Sequence, residues 1–227
     1  MNRYVESPKD SCPQCGQIVS TVLTGRDRNR GVSDVLFEYL WCGACGSLTL
    51  ANVPADLERY YPPGPYGLPA ADALLDLLAD EEYKVGLLAA RVLKGGSLLE
   101  VGPGAGAFAL AAKRFGYKVT VVEMDADTCV HIEDVVGVPA IRSSDPASAI
   151  TELHQPLGAI AMWHALEHIP EPRRALEAAA HSLVSGGTLL LSTPNPEAAQ
   201  LRLLRSRWVH LDAPRHLHLL SLRLVTQ

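Results

Sequence analysis

Four cysteines have the spacing of metal ligands, because they occur in two identical C-x-x-C-G segments: Cys12, Cys15, Cys42 and Cys45. Each segment puts two thiols on one tight turn, and the glycine that follows is free to take a positive φ angle. Two such turns supply four sulfur ligands, the closed tetrahedral set typical of structural zinc. A redox dithiol needs one pair rather than two, so the sequence predicts a structural zinc ion.

The residues around these cysteines predict a small domain that precedes a larger one. Two strand-like runs, 18–23 and 35–40, lie between the cysteine pairs, as in a zinc ribbon. We expect the ribbon to occupy residues 1–58, a connection rich in tyrosine and proline to occupy 59–69, and the larger domain to occupy 70–227. The tyrosines of the connection either pack at the junction or form a flap over a ligand.

A glycine-rich segment is the main sign of a ligand site in the larger domain. A buried apolar strand, 97–101, carries the acidic residue Glu100 and runs into three glycines that alternate with small residues: Gly102, Gly104 and Gly106. Glycine lacks a Cβ atom, so the backbone can turn tightly and a ligand can approach it closely. The helix that begins near Phe108 adds free N–H groups and partial positive charge. Together these features predict a nucleotide-like cofactor.

Strands alternate with helices after the glycine segment. Strand patterns cover 118–123, 140–142, 157–162 and 188–192, with helical patterns between them. This alternation predicts an α/β fold with a doubly wound, mainly parallel, Rossmann-like sheet. Ligands of such sheets bind outside the carboxyl ends of the strands. Five side chains that could meet a ligand fall at these ends: Glu100, Glu123, Asp145, Trp163 and Asn195.

Composition and charge exclude several classes of function. The chain has 227 residues and a formal net charge of −5, which argues against nucleic acid as the main partner because phosphate binding needs clustered Lys and Arg. No apolar run approaches the length of a membrane span, and the first residues lack a signal-peptide pattern. We therefore expect a cytoplasmic protein without a membrane partner, in which the isolated Cys129 is a small core residue.

Two cofactors fit a glycine segment of this kind. The segment Gly102-x-Gly104-x-x-Ala107 matches a loose dinucleotide-binding pattern, and such a match is weak evidence on its own. The order of the motifs separates the two options, because 99–106 and the Gly-Gly turn in 183–187 resemble motifs of class I S-adenosylmethionine-dependent methyltransferases. The likeness extends from about residue 70 to the C-terminus. It implies a methyltransferase activity with S-adenosylmethionine as the cofactor.

The resemblance also implies roles for individual residues. Glu100 and the three glycines would hold the methionine part of the cofactor, and Met124 and Trp163 would lie in the same site. Glu123 would hold the ribose, which agrees with its position at the end of the second strand, where a carboxylate can accept both ribose hydroxyls. Asp145 would bind the adenine amino group.

A narrower likeness concerns the second half of the chain. The segments 163–172, 192–195 and 208–217 resemble a branch that methylates small molecules, and some members of that branch carry an N-terminal zinc ribbon. The branch includes sugar C-methyltransferases and quinone-pathway O-methyltransferases. The resemblance implies a small-molecule methyl acceptor and a monomer or homodimer. The long C-terminal extension of the sugar C-methyltransferases is not found in this sequence.

His164-x-x-Glu167-His168 is the candidate catalytic motif. It spells the H-x-x-E-H of one class of zinc proteases, but here it follows a strand, and Pro170 and Pro172 interrupt any helix at once. Methyl transfer requires that the acceptor lose a proton, and an imidazole oriented by a carboxylate can take it. Two alternatives stay open: the quinone-pathway relatives imply a divalent ion at a similar cluster, or Glu167 caps the next helix while His168 packs behind the sheet.

Basic and histidine residues are dense near the C-terminus. The histidines predict a wall of a substrate pocket or surface positions without a role: His210, His216 and His218. Arg202, Arg205 and Arg207 could meet an acidic substrate, or they could form a solvated helix face.

The sequence ends at Gln227, inside the helix that would follow the fifth strand of this fold. We therefore expect five parallel strands without the closing antiparallel strands, because of a truncation or because a partner covers the fifth strand. Two alternatives to a small-molecule enzyme follow: an RNA-base methyltransferase, which a basic groove would favour, and a cofactor-binding or partner-binding module that does not catalyse.

Overall fold

The structure is a computed structural model that describes residues 4–6, 11–19, 21–61 and 68–225. The chain divides into two compact units. The ribbon unit consists of residues 1–63, 166–172 and 193–227, and the sheet unit consists of 64–165 and 173–192. Most of the predicted tyrosine- and proline-rich connection, residues 62–67, lies outside the described residues, so the flap stays a prediction.

The ribbon unit is built from short antiparallel strands. Strand β1 (Tyr4–Glu6) pairs with β5 (Asn52–Pro54). A second sheet contains β2 (Thr21–Gly25), β3 (Phe37–Trp41), β4 (Leu48–Leu50) and β11 (His218–Leu219). Their order in the sheet is β11-β4-β3-β2. Residues near the C-terminus thus complete a sheet that begins near the N-terminus.

The core of the ribbon unit follows from the two-residue period of strand β3. Phe37 and Tyr39 are buried, whereas Glu38 between them is exposed, because alternate side chains of a strand point to opposite faces. Residues 208–219 supply the other half of this core, in which Trp208 and Leu219 are buried. This packing explains why residues 193–227 join the ribbon unit. The linear boundaries at residues 58 and 70 stay a prediction about the sequence.

The sheet unit contains the predicted parallel sheet. Its five strands run in the order β10-β9-β6-β7-β8 with parallel pairing throughout. They are β6 (Ser97–Val101), β7 (Lys118–Glu123), β8 (Ala140–Arg142), β9 (Leu157–Trp163) and β10 (Leu183–Ser192). The α/β fold class and the five parallel strands are therefore confirmed.

Helices connect these strands and pack on the sheet. They are α1 (Ala71–Asp76), α2 (Leu78–Ala89), α3 (Ala107–Phe115), α4 (Ala126–His131), α5 (Pro146–Glu152) and α6 (Pro172–Ser182). Two further short helices, α7 (Ala199–Leu204) and α8 (Leu222–Val225), lie in the ribbon unit. Among the described residues, no helix combines the length and the apolar character that a membrane crossing needs.

Two elements differ from the sequence-based expectation. The single helix expected over 126–136 changes at Ile132 into a π-helix, Ile132–Val136, which ends at Gly137 with a φ of 71°. The fifth strand was expected over 188–192 but extends over 183–192. Its register shifts between Leu183 and Thr188, so the Gly-Gly turn lies within the strand as an irregularity instead of preceding it.

Candidate functional site

The three glycines after β6 share a positive φ angle but have different surroundings. The φ angles of Gly102, Gly104 and Gly106 are 68°, 55° and 82°. A Cβ atom on Gly106 would lie 2.5 Å from Ile132 Cδ1, and one on Gly102 would lie 2.9 Å from Ala165 Cβ, whereas one on Gly104 would meet no atom within 4 Å. Two of the glycines therefore permit close packing, and Gly104 borders open space that a ligand can approach.

Glu100 is a buried carboxyl group at the centre of this edge of the sheet. Its residue is 2% exposed, and its Oε2 atom has no hydrogen-bond partner among the described residues. Burial, reinforced by the nearby Glu81, raises the pKa of Glu100 to about 8 even though Lys84 opposes the shift. A buried, unsatisfied acid is costly, and a cationic ligand group would relieve that cost.

Lys84 and Trp163 complete this part of the site. The ammonium of Lys84 lies 2.7 Å from Glu81 Oε2 and 5.3 Å from the ring centroid of Trp163. The indole Nε1 of Trp163 is buried and has no acceptor among the described residues. Sequence reasoning missed Lys84 and Glu81, because they lie on α2, which carries no recognisable motif. Their signal was two charges at positions i and i+3 on a helix directly before the glycine segment.

Glu123 and Met124 lie at the carboxyl end of β7. Glu123 Oε1 accepts hydrogen bonds from the main-chain N–H groups of Met124 at 2.7 Å and Asp125 at 2.9 Å. This leaves Oε2 available for a ligand hydroxyl. Burial raises the pKa of Glu123, and the side chain of Met124 is exposed. The carboxylate is therefore held in one orientation by its own backbone.

Asp145 has a structural role in this conformation. Its carboxylate caps α5 by accepting from Ser148 N at 3.3 Å and from Ser148 Oγ at 2.7 Å. Arg174 Nη1 lies 2.8 Å from Asp145 Oδ2. These hydrogen bonds, first that from Ser148, lower the pKa of Asp145. A bond to an adenine amino group would have to compete with them, and the predicted role of Asp145 stays a prediction.

His164 lies directly after β9 in the sheet unit. Its φ of 53° is unusual for a residue other than glycine. Its main-chain N–H donates to Ser192 O at 2.8 Å, and its Nε2 lies 3.1 Å from Ser192 Oγ. These contacts hold the end of β9 against the end of β10.

Glu167 and His168 belong to a 3-10 turn, Leu166–His168, in the ribbon unit. Glu167 is fully buried and His168 is half-buried. His168 Nδ1 lies 3.0 Å from Arg215 O and 3.1 Å from Tyr61 Oη. A carbonyl oxygen only accepts, so Nδ1 carries the proton and Nε2 is the nitrogen with a free lone pair.

His216 joins this pair, which sequence reasoning did not foresee. Its ring centroid lies 4.7 Å from that of His168, and donor atoms of Glu167, His168 and His216 all lie within 4.8 Å of one another. Burial, with the nearby His168, lowers the pKa of His216 to about 4. Burial also lowers the pKa of His168, against the opposing charge of Glu167. Both imidazoles are therefore neutral at pH 7. Of the three predicted catalytic residues, the structure groups Glu167 with His168 and places His164 in the other unit.

An ion-pair network fixes the main chain beside His168. Arg215 is 2% exposed, and its guanidinium lies 3.1 Å from Asp27 Oδ1 and against Asp212 Oδ1. It also donates to Tyr60 O at 3.1 Å. The C-terminal histidines were expected as a pocket wall or as surface positions, but His216 and His218 are buried. Sequence reasoning missed this network because its members are almost 190 residues apart.

The four paired cysteines form one cluster, and their sulfur atoms all lie within 4.8 Å of one another. Cys12 Sγ lies 3.7 Å from Cys45 Sγ, and Cys15 Sγ lies 3.5 Å from Cys42 Sγ. These distances exclude disulfides, whose sulfur atoms are about 2.0 Å apart. They are close to the ~3.8 Å edge of a tetrahedron with zinc–sulfur bonds of about 2.3 Å. The donor set therefore fits zinc.

The two cysteine turns have the same local geometry. Gly16 N donates to Cys12 O and Gly46 N donates to Cys42 O, each at 2.8 Å. Both glycines have a φ of 74°, which a side chain would disfavour. The repeated C-x-x-C-G sequence thus forms a repeated structure. The expectation that Cys129 is a small core residue agrees with its burial on α4.

Comparison with known proteins places the chain in a family. The family Methyltransf_23, described as a methyltransferase domain, matches residues 75–226. The chain belongs to this family. Membership confirms the predicted likeness to class I S-adenosylmethionine-dependent methyltransferases.

Curated relatives have a moderate similarity over part of the chain. The ubiquinone biosynthesis O-methyltransferase of Xylella fastidiosa (strain 9a5c) is 32% identical over 116 residues, which cover 49% of this chain and 47% of that protein. The protein of the same name from Xanthomonas campestris pv. campestris (strain B100) is 31% identical over 146 residues, or 58% of each chain. The chain spans about half the length of the curated relatives it matches.

Solved structures overlap with a similar share of the chain. CalS10 from Micromonospora echinaspora, an amino pentose methyltransferase, is 20% identical with a TM-score of 0.45 and covers 51% of each chain. DesVI from Streptomyces venezuelae is 18% identical with a TM-score of 0.44 and covers 52% of each chain.

Proposed function

We propose that this protein is an S-adenosylmethionine-dependent methyltransferase that acts on a small molecule. The observation that carries the proposal is the presence of two unsatisfied buried groups on neighbouring strands of the sheet, namely the carboxyl of Glu100 on β6 and the indole N–H of Trp163 on β9. Family membership supports the same conclusion.

The amino-acid end of the cofactor matches these groups. Its α-ammonium is a donor that can satisfy Glu100, and its α-carboxylate is an acceptor that can satisfy Trp163 Nε1 and attract Lys84. Buried polar groups are nearly always paired in folded proteins. Binding of a molecule that has both an ammonium and a carboxylate would therefore remove the free-energy cost of leaving Glu100 and Trp163 Nε1 unpaired. A ligand with only phosphate groups would leave Glu100 unpaired.

We assign the nucleoside end of the cofactor to residues at the carboxyl end of β7. Glu123 has one carboxylate oxygen held by its own backbone and one available, which suits a ribose hydroxyl. Met124 follows with an exposed apolar side chain, which can cover the nucleoside. We retain Gly102 and Gly106 as residues that shape the loop, and Asp145 as the proposed adenine contact.

His168 is the proposed base for the methyl acceptor. The bound cofactor supplies a methyl group on a sulfonium centre, and the acceptor must lose a proton as it is methylated. His168 is neutral and presents Nε2 as the acceptor because Arg215 O holds the proton on Nδ1. The charge of the buried Glu167 would stabilise the imidazolium that forms. His164, whose Nε2 lies 3.1 Å from Ser192 Oγ, is retained as a further proposed catalytic residue.

The acceptor is proposed to be small and hydroxylated. The curated relatives are named as ubiquinone biosynthesis O-methyltransferases, which makes hydroxylated aromatic quinone precursors the first class to assay. The proposal also includes a structural zinc ion at the four cysteines. We further propose a reducing, cytoplasmic location and a monomeric or homodimeric state.

A divalent ion is a second candidate at the catalytic position. The mutual approach of donor atoms from Glu167, His168 and His216 within 4.8 Å favours it, since one carboxylate and two imidazoles make a common open metal site. Elemental analysis separates the two candidates. One metal per chain, held by the cysteines, supports acid–base catalysis, and a second metal that is lost in His216→Ala supports the ion.

Transfer of a labelled methyl group tests the proposed function. The full chain is incubated with methyl-labelled S-adenosylmethionine and, in separate reactions, a panel of hydroxylated aromatic acceptors or RNA, and the products are separated and counted. We expect label in at least one acceptor. Label found only in RNA would instead favour an RNA-base methyltransferase.

A further inference from the structure

We propose that a cleft in the ribbon unit, lined by none of the proposed cofactor or catalytic residues, binds the diphosphate group of a small anionic ligand. The cleft lies between the turn after β2 and the segment that follows α7. It is lined by cationic, amide, hydroxyl and apolar groups: Arg26, Arg28, Asn29, Ser206, Arg207, Trp208, Val209, Leu211 and Asp212.

Charge is the first argument. Three arginines line the cleft, Arg26, Arg28 and Arg207, and all three are exposed. Arg26 Nη1 also donates to Asp34 O at 3.3 Å, a neutral acceptor, which leaves its charge unpaired among the described residues. Asp212 is the acidic lining residue, and its carboxylate is already paired with the buried Arg215. The cleft thus keeps an excess of positive charge, although the whole chain has a net charge of −5. A ligand with two or three negative charges would balance it.

The turn that carries Arg26 and Arg28 is fixed by the buried carboxylate of Asp27. Asp27 is 4% exposed, and its carboxylate accepts from Arg30 N at 3.1 Å and Val32 N at 2.8 Å. It also pairs with Arg215 at 3.1 Å. Since Asp27 points into the core, its neighbours Arg26 and Arg28 are left exposed. A turn fixed in this way binds a ligand with less loss of conformational entropy.

The two sides of the cleft are joined to each other. Asn29 Nδ2 donates to Val209 O at 2.9 Å and also contacts Asp212 Oδ1. At the end of β2, Gly25 allows close packing, since a Cβ atom there would lie 2.7 Å from Leu211 Cδ2. These contacts hold the turn that carries Arg26 and Arg28 against the segment that follows Arg207.

The residue types favour phosphate over other anions. A guanidinium presents several N–H donors in a planar fork that matches phosphate oxygens, and such charge-assisted hydrogen bonds are about twice as strong as neutral ones. Ser206 adds a hydroxyl donor, and Trp208 and Leu211 add apolar side chains to the lining. A cleft lined by nine residues from two segments suits a compact diphosphate rather than the extended backbone of a nucleic acid, which needs a long basic track.

Calorimetric titration of the full chain with inorganic pyrophosphate at low salt tests this proposal. We expect one site, and we expect Arg28→Gln and Arg207→Gln each to weaken binding by about tenfold or more, because each removes a charge-assisted contact. Arg202→Gln is the matched control, since Arg202 is exposed on α7 and does not line the cleft. Circular dichroism checks that every variant is folded.

A parallel titration with uridine diphosphate distinguishes the sources of the group. Tighter binding than that of pyrophosphate assigns the site to a nucleotide, and equal binding assigns it to the diphosphate alone; both support the site. Absence of binding, equal loss in Arg202→Gln, or tighter binding of a single-stranded RNA oligomer would overturn the proposal. Because no methyl donor is present and Glu123→Ala should bind pyrophosphate normally, failure here is separate from failure of the methyltransferase proposal.

Discussion

The Nδ1 atom of His168 lies 3.0 Å from the main-chain oxygen of Arg215, and this contact determines which imidazole nitrogen can accept a proton. The oxygen is held in place because the Arg215 side chain is buried between Asp27 and Asp212. Residues almost 190 positions apart therefore fix the tautomer of the proposed base.

We expect His168→Gln to reduce kcat for methyl transfer by about 10²–10⁴-fold, the usual contribution of a positioned general base. Binding of S-adenosylhomocysteine should be unchanged, because His168 is not among the proposed cofactor residues. His181→Gln is the matched control, since His181 is exposed on α6. Undiminished turnover in His168→Gln would remove this residue from catalysis.

Cofactor binding should depend on pH through Glu100. Its folded pKa of about 8 lies above the ordinary 4.5, so the unliganded protein holds a proton that an ammonium ligand would displace. Affinity for S-adenosylhomocysteine should rise between pH 6.5 and 8.5, with proton release visible as a buffer-dependent calorimetric enthalpy. In Glu100→Gln the pH dependence should disappear. A flat profile in the unaltered protein would contradict the proposed contact.

The same pKa shift predicts a stability effect in the absence of ligand. Because the folded state binds a proton that the unfolded state has lost, the free energy of unfolding should fall as pH rises from about 4.5 towards 8, by at most about 1.4 kcal/mol per pH unit. Denaturant unfolding of the protein and of Glu100→Gln measures this difference. A steeper fall in the variant than in the unaltered protein would be inconsistent with a protonated Glu100.

Two glycine-to-alanine variants should be impaired in different properties, one in cofactor binding and the other in stability. Gly104→Ala places a Cβ atom in open space, so it should weaken cofactor binding while costing only the strain of its positive φ, about 1 kcal/mol. Gly106→Ala should lower stability by a further 1–3 kcal/mol or so, because its Cβ would lie 2.5 Å from Ile132. Thermal unfolding and cofactor titration of both variants separate the two effects. Equal stability loss in both would show that the packing distinction is wrong.

Removal of zinc should destabilise the ribbon unit. The four thiols fit a tetrahedral ion, and structural zinc contributes directly to folding free energy. We expect one zinc per chain by elemental analysis and a lower midpoint of thermal unfolding after chelation or in Cys42→Ser. The isolated cysteine provides the control, as Cys129→Ser should keep its zinc. A chain that is purified without zinc and is unaffected by chelators would refute this assignment.

Local sequence patterns predicted the parallel sheet and the cysteine cluster well. The strands Lys118–Glu123 and Ala140–Arg142 have the predicted bounds, since β-branched runs between glycines and helices leave few alternatives. The cysteine turns depend on five consecutive residues each, so their geometry is also local. The irregular start of β10 was missed because its pairing with Leu157 is decided by the neighbouring strand.

Features that depend on distant residues could not be predicted. The C-terminal strand β11 is two residues long, and its partner β4 lies about 170 positions earlier. The pairing of His168 with His216 and the burial of Arg215 follow from this long-range packing. In the sheet unit, Lys84 was missed because its i, i+3 pairing with Glu81 is also what a solvated ion pair on a helix would show, and only the fold brings it near Trp163.

Equilibrium binding of S-adenosylhomocysteine to the full chain tests the central claim most directly. We predict one site per chain and a loss of affinity of at least about tenfold in Glu123→Ala, because a charge-assisted carboxylate–hydroxyl contact is removed. Affinity should be unchanged in Asp127→Ala, an exposed neighbour on α4. Absence of binding by the unaltered protein, or equal affinity in Glu123→Ala, would contradict the account.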